Sequence, residues 1–294
     1  MSVDAAPRRA RTRTWQAGRA LGATSYYLLA ASIALLLVGP LAIAVLRSLQ
    51  SGLAVTSPVG PAMLGSMSME NYVALADPSV DILLYVRNSL IVAAGTAAIA
   101  TVAGALAGYA FGRFHFRGIN ALFLGILAIF MVPFQAIVIP LLSLLDLLGL
   151  SNSWLGLILV HATYALPFCV FVMRNTVLEI PRELEEAARM DGANWWQTLL
   201  HVLRPVILPG LVTAALFSFL FSWTEFLGAV TFLNSQKLFT LPVQLLNLQL
   251  GTQGIVDFGY LEAGAVITMI PCLILYAFLQ RYYVSGLIAG SVKG

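Results

Sequence analysis

The feature that most limits what this chain can become is a series of apolar runs, each long enough to cross a lipid bilayer. They fall at about 25–47, 87–112, 120–145, 154–175, 209–233 and 259–283. The hydrocarbon core of a bilayer is spanned by roughly 20 apolar residues in a helix, a few more when the helix tilts. Lipid offers no hydrogen-bonding partner, so such runs satisfy their own backbone by becoming helical. Composition agrees: 60% of the 294 residues are hydrophobic and 10% are charged, against roughly 25% charged in a soluble domain. The fold class expected is an all-α integral membrane protein with six transmembrane helices.

The chain divides into a basic N-terminal tail (1–24), a six-helix transmembrane domain (25–284) with a charged loop at 176–208, and a short C-terminal tail (285–294). The tail carries Arg8, Arg9, Arg11, Arg13 and Arg19. The run behind it is longer than the roughly 7–15 apolar residues of a secretory signal, which reads as an uncleaved first helix. Six spans put both termini on one side. With that side cytoplasmic, only Arg47, Arg87 and Lys237 lie outside, leaving thirteen of the sixteen Lys and Arg residues inside. Inward basic charge is the rule for short loops, so both termini are expected in the cytoplasm.

Charge also narrows the partners. A net charge of +3 and a pI near 9.0 do not make a nucleic-acid binder, because the bases are thinly spread with no clustered patch. The lipid bilayer is the first partner. Cys169 and Cys272 sit within apolar runs and fit neither a disulfide framework nor metal-ligand spacing, so no metal is expected. Gly104, Gly108 and Gly112 share one helix face and permit close helix approach, either within this chain or against a second subunit. Pro133, Pro140, Pro167 and Pro271 lie inside spans, where each removes a backbone hydrogen bond and favours a kink.

The loop at 176–208 breaks the pattern. It holds the acids Glu179, Glu183, Glu185, Glu186 and Asp191 and the bases Arg182, Arg189 and Arg204. Its chemistry predicts a helix from Pro181 to Asp191 that stops at Gly192, a left-handed terminator. A second helix follows, capped by Asn194 with Gln197 in the capping-box position, and closed by Pro205. An amphipathic linker lying on lipid carries an excess of Lys and Arg. Here acids outnumber bases, which points to docking on a soluble protein.

The run Glu186-Ala187-Ala188-Arg189-Met190-Asp191-Gly192-Ala193, followed by Leu208-Pro209, resembles the EAA loop of ATP-binding-cassette importer permeases. The resemblance extends over residues 70 to 294. It includes Asn88-Ser89-Leu90, Tyr109-Ala110-Phe111, Trp223-Thr224-Glu225-Phe226-Leu227, and a C-terminal stretch with Gly286, Gly290 and Lys293 similar to the maltose-permease G type. It implies a type I ABC importer permease fold, with Glu186, Ala187, Ala188, Asp191, Gly192, Ala193 and Pro209 in the ATPase-coupling loop. The C-terminal stretch would add a second contact with the ATPases. The partners implied are a second homologous permease, two ABC ATPase subunits and an extracytoplasmic solute-binding protein, and the solute implied is a sugar or related compound. Leu53–Met69 and Glu262 depart from the pattern.

Chemistry within the chain is sparse. Its two lysines, Lys237 and Lys293, lie in no phosphate-binding loop, so energy must come from a partner or from an ion gradient; the resemblance implies that partner subunits bind ATP and Mg. No HExxH, GxSxG or Cys/His cluster occurs, and no catalytic residue is expected. His115, His161 and His201 read as structural. Glu225 and Glu262 are the only acids within the spans and form no relay of the kind a secondary transporter needs. An ABC importer for a non-sugar solute stands as the alternative. Candidates for a solute pathway are Gln135, Tyr164, Ser222, Trp223, Glu225 and Asn234, with His161, Ser218 and Thr224 nearby. Trp223 beside Glu225 suits sugar stacking with a hydrogen bond; equally, Trp223 packs and Glu225 holds a neighbouring helix.

Overall fold

A computed structural model describes residues 9–50, 67–250 and 258–291, with side chains over 25–50, 67–250 and 258–278. Residues 51–66, which hold most of the Leu53–Met69 segment, and Lys293 lie outside the described residues. The helices are α1 (Arg9–Ser48), α2 (Glu70–Leu75), α3 (Ile82–Arg113), α4 (Ile119–Ala128), α5 (Phe134–Leu147), α6 (Trp154–Leu178), α7 (Arg182–Met190), α8 (Trp195–Gln197), α9 (Arg204–Thr224), α10 (Leu227–Phe232), α11 (Leu241–Leu250) and α12 (Phe258–Ser291). Gly286 and Gly290 fall within the last helix.

Two compact units are present. In the first, Met1–Tyr72 with Phe258–Val266, the end of α1 is pinned by Asn71. Its Nδ2 donates to the carbonyls of Ser48 (2.8 Å) and Gln50 (2.7 Å). The Ser48 and Tyr72 hydroxyls meet at 2.7 Å, and Gln50 bridges Met67 antiparallel. The apolar stretch Ser25–Ser48 is long enough to cross a bilayer, and its side chains are largely exposed.

In the second unit, Val73–Asp257 with Ile267–Gly294, α3, α6 and α9 form the core. Asp81 starts α3 by accepting from the Leu84 amide at 3.3 Å. The glycine stripe packs within the chain: a Cβ on Gly104 would overlap Cys169, one on Gly108 would reach 2.5 Å from Met173 Cβ, and one on Gly112 would reach 2.7 Å from Val177 Cγ1. Above it, Ala100, Ala162, Ala165 and Ala214 keep the three helices close. Nearer α7, Met173, Val177, Ile180, Leu203 and Ile207 close the core.

Two expected spans take a different form. The run 120–145 is not one helix: α4 with its terminal 3-10 turn (Ile119–Met131) and α5 meet at 99°. Pro133 has no amide to continue the ladder and forces Val132 into extended backbone (φ −84, ψ 115), so the expected kink becomes a break. The run 209–233 is also displaced. A continuous helical stretch begins at Trp195, passes through a π-helical segment (Thr198–Leu203) and ends at Thr224. Pro205 does not close the second loop helix. It falls in the first turn of α9 behind the wide π turn, a geometry that accommodates a residue unable to donate. Pro140, Pro167 and Pro271 stay inside their helices.

Candidate functional site

The predicted loop helix is α7. Pro181 is its N-cap, and Glu183 and Glu185 lie in the first turn, where the helix dipole favours anions. It ends in a Schellman motif: the Ala193 amide donates to Ala188 O at 3.0 Å and the Gly192 amide to Arg189 O at 3.0 Å, with Gly192 at φ +82. A side chain at Gly192 would meet no atom, so conformation rather than space calls for glycine there. Asn194 then makes the full capping box, its Oδ1 accepting from Gln197 N at 2.9 Å while Gln197 Oε1 accepts from Asn194 N at 2.8 Å.

Two faces result. Glu185 and Ala188, one turn apart, are buried; Glu186, Ala187, Arg189, Met190, Asp191 and Gly192 are exposed, and Ala193 is half-buried. Pro209 lies further on, exposed within α9. Met190 is 88% exposed and is followed by the exposed pair Trp195 and Trp196. Trp195 and Trp196 pack edge to face, with ring centroids 4.8 Å apart.

Toward the opposite end of α3, α6 and α9 lies a cluster of buried polar groups. His161 is fully buried: its Nδ1 meets Ser222 Oγ at 2.8 Å and its Nε2 meets Glu225 Oε2 at 3.0 Å. Ser222 donates on to Thr96 Oγ1 at 3.2 Å. Glu225 also caps α10, accepting from Gly228 N at 2.8 Å and Ala229 N at 3.2 Å. The loop beyond is gripped by amides. Asn88 Nδ2 donates to Lys237 O and Phe239 O, each at 2.9 Å, and Ser89 Oγ accepts from Leu241 N at 2.7 Å. Asn152 Oδ1 accepts from Asn234 N (2.8 Å) and Ser235 N (3.0 Å), and Trp154 Nε1 donates to Leu238 O at 3.0 Å.

These contacts sort the pathway candidates. Trp223 is fully buried, stacked on Phe219, with Nε1 donating to Thr268 O at 3.1 Å. It presents no face to a solute in this conformation, because packing claims both its ring and its one donor. Ser222 is buried in the histidine cluster and Glu225 is spent on His161 and α10. Gln135 and Asn234 are exposed. Tyr164, stacked on Phe221 at 5.4 Å, lines an apolar cavity of about 370 Å³ with Phe134, Leu141 and Val160. The structure thus brings Ser222 and Glu225 together on His161, with Tyr164 packed on the same Phe221 ring as His161.

Comparison with known proteins decides the family. Residues 100–288 match the binding-protein-dependent transport system inner membrane component family. The chain belongs to this family. The permease is 37% identical over 229 residues to a probable ABC transporter permease protein of Pyrococcus horikoshii, covering 78% of this chain and 82% of that one. It is 38% identical over 207 residues to the trehalose transport system permease protein of Mycobacterium tuberculosis, covering 70% and 76%. Its fold matches a chain from a bacterial ABC transporter involved in the import of the acidic polysaccharide alginate. That match has a TM-score of 0.76 at 23% identity and covers 96% of the permease and 100% of the other chain.

Sequence reasoning missed three features of the permease: the His161–Glu225 pair, the amide grip on the loop, and the inward turn of Glu185. The first and third depend on helix rotation. The second had a trace, since Asn88-Ser89 stood out as a motif without a stated role.

Proposed function

We propose that this chain is the membrane-spanning permease subunit of an ABC importer that carries a sugar or related solute into the cytoplasm by alternating access. The observation that carries the proposal is the split of α7, which buries Glu185 and Ala188 and exposes Glu186, Ala187, Asp191 and Gly192. That exposed face would seat in a cleft of a partner ATPase, and two such ATPases, binding ATP and Mg, would supply the energy. Catalysis would lie in those subunits and not in this chain. A second homologous permease would complete the pathway, and an extracytoplasmic binding protein would deliver the solute to the end gripped by Asn88 and Asn152. Both termini and α7 would face the cytoplasm, in keeping with the inward basic charge.

Closure of the ATPase pair would displace α7, and the α3–α6–α9 core would carry that displacement to the opposite end. Gly286, Gly290 and Lys293 would add a second ATPase contact. The sugar reading rests on the trehalose permease relative and on the resemblance of the Trp223–Leu227 stretch to sugar importers. Uptake by the assembled complex in proteoliposomes tests it. Labelled mono- and oligosaccharides should accumulate in the presence of ATP, and a Glu186→Lys, Gly192→Pro variant should abolish uptake. Undiminished uptake by that variant removes the docking role.

A further inference from the structure

Glu185 stands apart on α7. Arg182, Glu183, Glu186 and Arg189 are exposed, whereas Glu185 is 8% exposed. A buried carboxylate is tolerated only when paired, and its partners come from the last turns of α3. Arg113 Nε lies 2.6 Å from Glu185 Oε1, with the two side chains 9% and 10% exposed. The Tyr109 hydroxyl donates to Glu185 Oε2 at 3.0 Å. Tyr109 and Arg113 are four residues apart, on one helix face. Two further bonds tie the same elements: Arg113 Nη1 donates to Ile180 O at 3.0 Å, and Arg182 Nη2 donates to Arg113 O at 3.2 Å. The chain from Ile180 to Glu185 is therefore held to α3 at several points, each in a different direction.

α3 is in turn joined to α6. Backbone approach at Gly104, Gly108 and Gly112 leaves no room for α3 to slide past Cys169, Met173 and Val177. Apolar packing of Ala188 and Ile180 alone is non-directional and lets a short helix slip. A buried ion pair contributes little net stability, and its best-attested use is to fix register.

We propose that Glu185, locked to Arg113 and Tyr109, is a positioning residue that transmits displacement of α7 into the α3–α6 pair, separate from the residues by which α7 docks. The inference rests on the docking role of α7 given above. The test uses the full complex in proteoliposomes and reads ATPase co-purification, ATP hydrolysis, and solute imported per ATP.

Glu185→Gln should retain the ATPases and hydrolyse ATP while importing about tenfold less solute per ATP, a coupling loss of ordinary size. Tyr109→Phe, which keeps the ion pair, should lower the same ratio about two- to threefold. The reciprocal swap of Arg113→Glu with Glu185→Arg should recover most of the ratio. An unchanged ratio in Glu185→Gln overturns the proposal. So does loss of the ATPases from Glu185→Gln without recovery in the swap, because that pattern makes Glu185 part of docking or folding. If Glu185→Gln does not fold, Tyr109→Phe decides, and an unchanged ratio there overturns the lock. Retained ATPases and normal uptake in Glu186→Lys would instead remove the docking role, a different outcome from any of these.

Discussion

The two ends of the α3–α6–α9 core treat polar groups in opposite ways. At the α7 end Glu183, Glu186, Asp191, Trp195 and Trp196 face outward, and among the acids of α7 Glu185 turns in, toward Tyr109 and Arg113. At the other end His161, Ser222 and Thr96 are buried, Glu225 is turned inward, and Asn88, Ser89 and Asn152 spend their side chains on loop backbone. Buried polar groups that satisfy one another rigidify a structure; exposed ones keep their capacity for a partner. The difference teaches that one end leaves its polar groups open as a surface while the other is a joint held by its own hydrogen bonds. The glycine-lined contact between α3 and α6 connects them.

Breaking that connection should erase both ends at once. Gly108→Leu is expected to yield no folded permease, because even a Cβ at this position meets Arg174 N at 2.8 Å and Met173 C at 2.9 Å. Gly108→Ala should cost about 1–3 kcal/mol as overpacking, seen as a lower unfolding temperature of the purified permease in detergent. Asn88→Ala acts on the joint alone. It leaves the carbonyls of Lys237 and Phe239 unpaired, worth about 1–3 kcal/mol, and should speed proteolysis near residues 234–241 while leaving the α7 region intact. Ser89→Ala removes the single acceptor for Leu241 N and should cost about 0.5–1.5 kcal/mol in the same assay. Glu186→Gln should change stability by no more than about 0.5 kcal/mol, as exposed positions do, yet reduce uptake. A stability loss at Glu186 as large as that at Asn88 would blur the contrast between the ends.

Much of the α7 end was legible in the sequence because its signals are local. Gly192 needs a left-handed backbone, Asn194 and Gln197 sit three residues apart, and acids crowd the first turn. None of this depends on what packs nearby. The expected closing role of Pro205 failed because a π turn one step earlier accommodates it. Hydropathy placed the apolar runs but not their breaks, since a run such as 120–145 is equally apolar on both sides of Pro133. The joint was least legible. His161 lies 61 residues from Ser222 and 64 from Glu225, and only the approach of α6 to α9 brings them together. Trp223 illustrates the same limit: its neighbour Glu225 suggested a shared face, but the helix ends between them at Thr224, and the two side chains have separate surroundings.

The contrast between the ends is tested most directly by photo-crosslinking in the assembled complex, with the crosslinker placed at Ala187 in one sample and at Gln236 in another. Both positions are exposed. The crosslinker at Ala187 should capture the ATPase subunit and that at Gln236 the solute-binding protein. Capture of the ATPase from Gln236, or its absence at Ala187 in a complex that transports, would contradict the account.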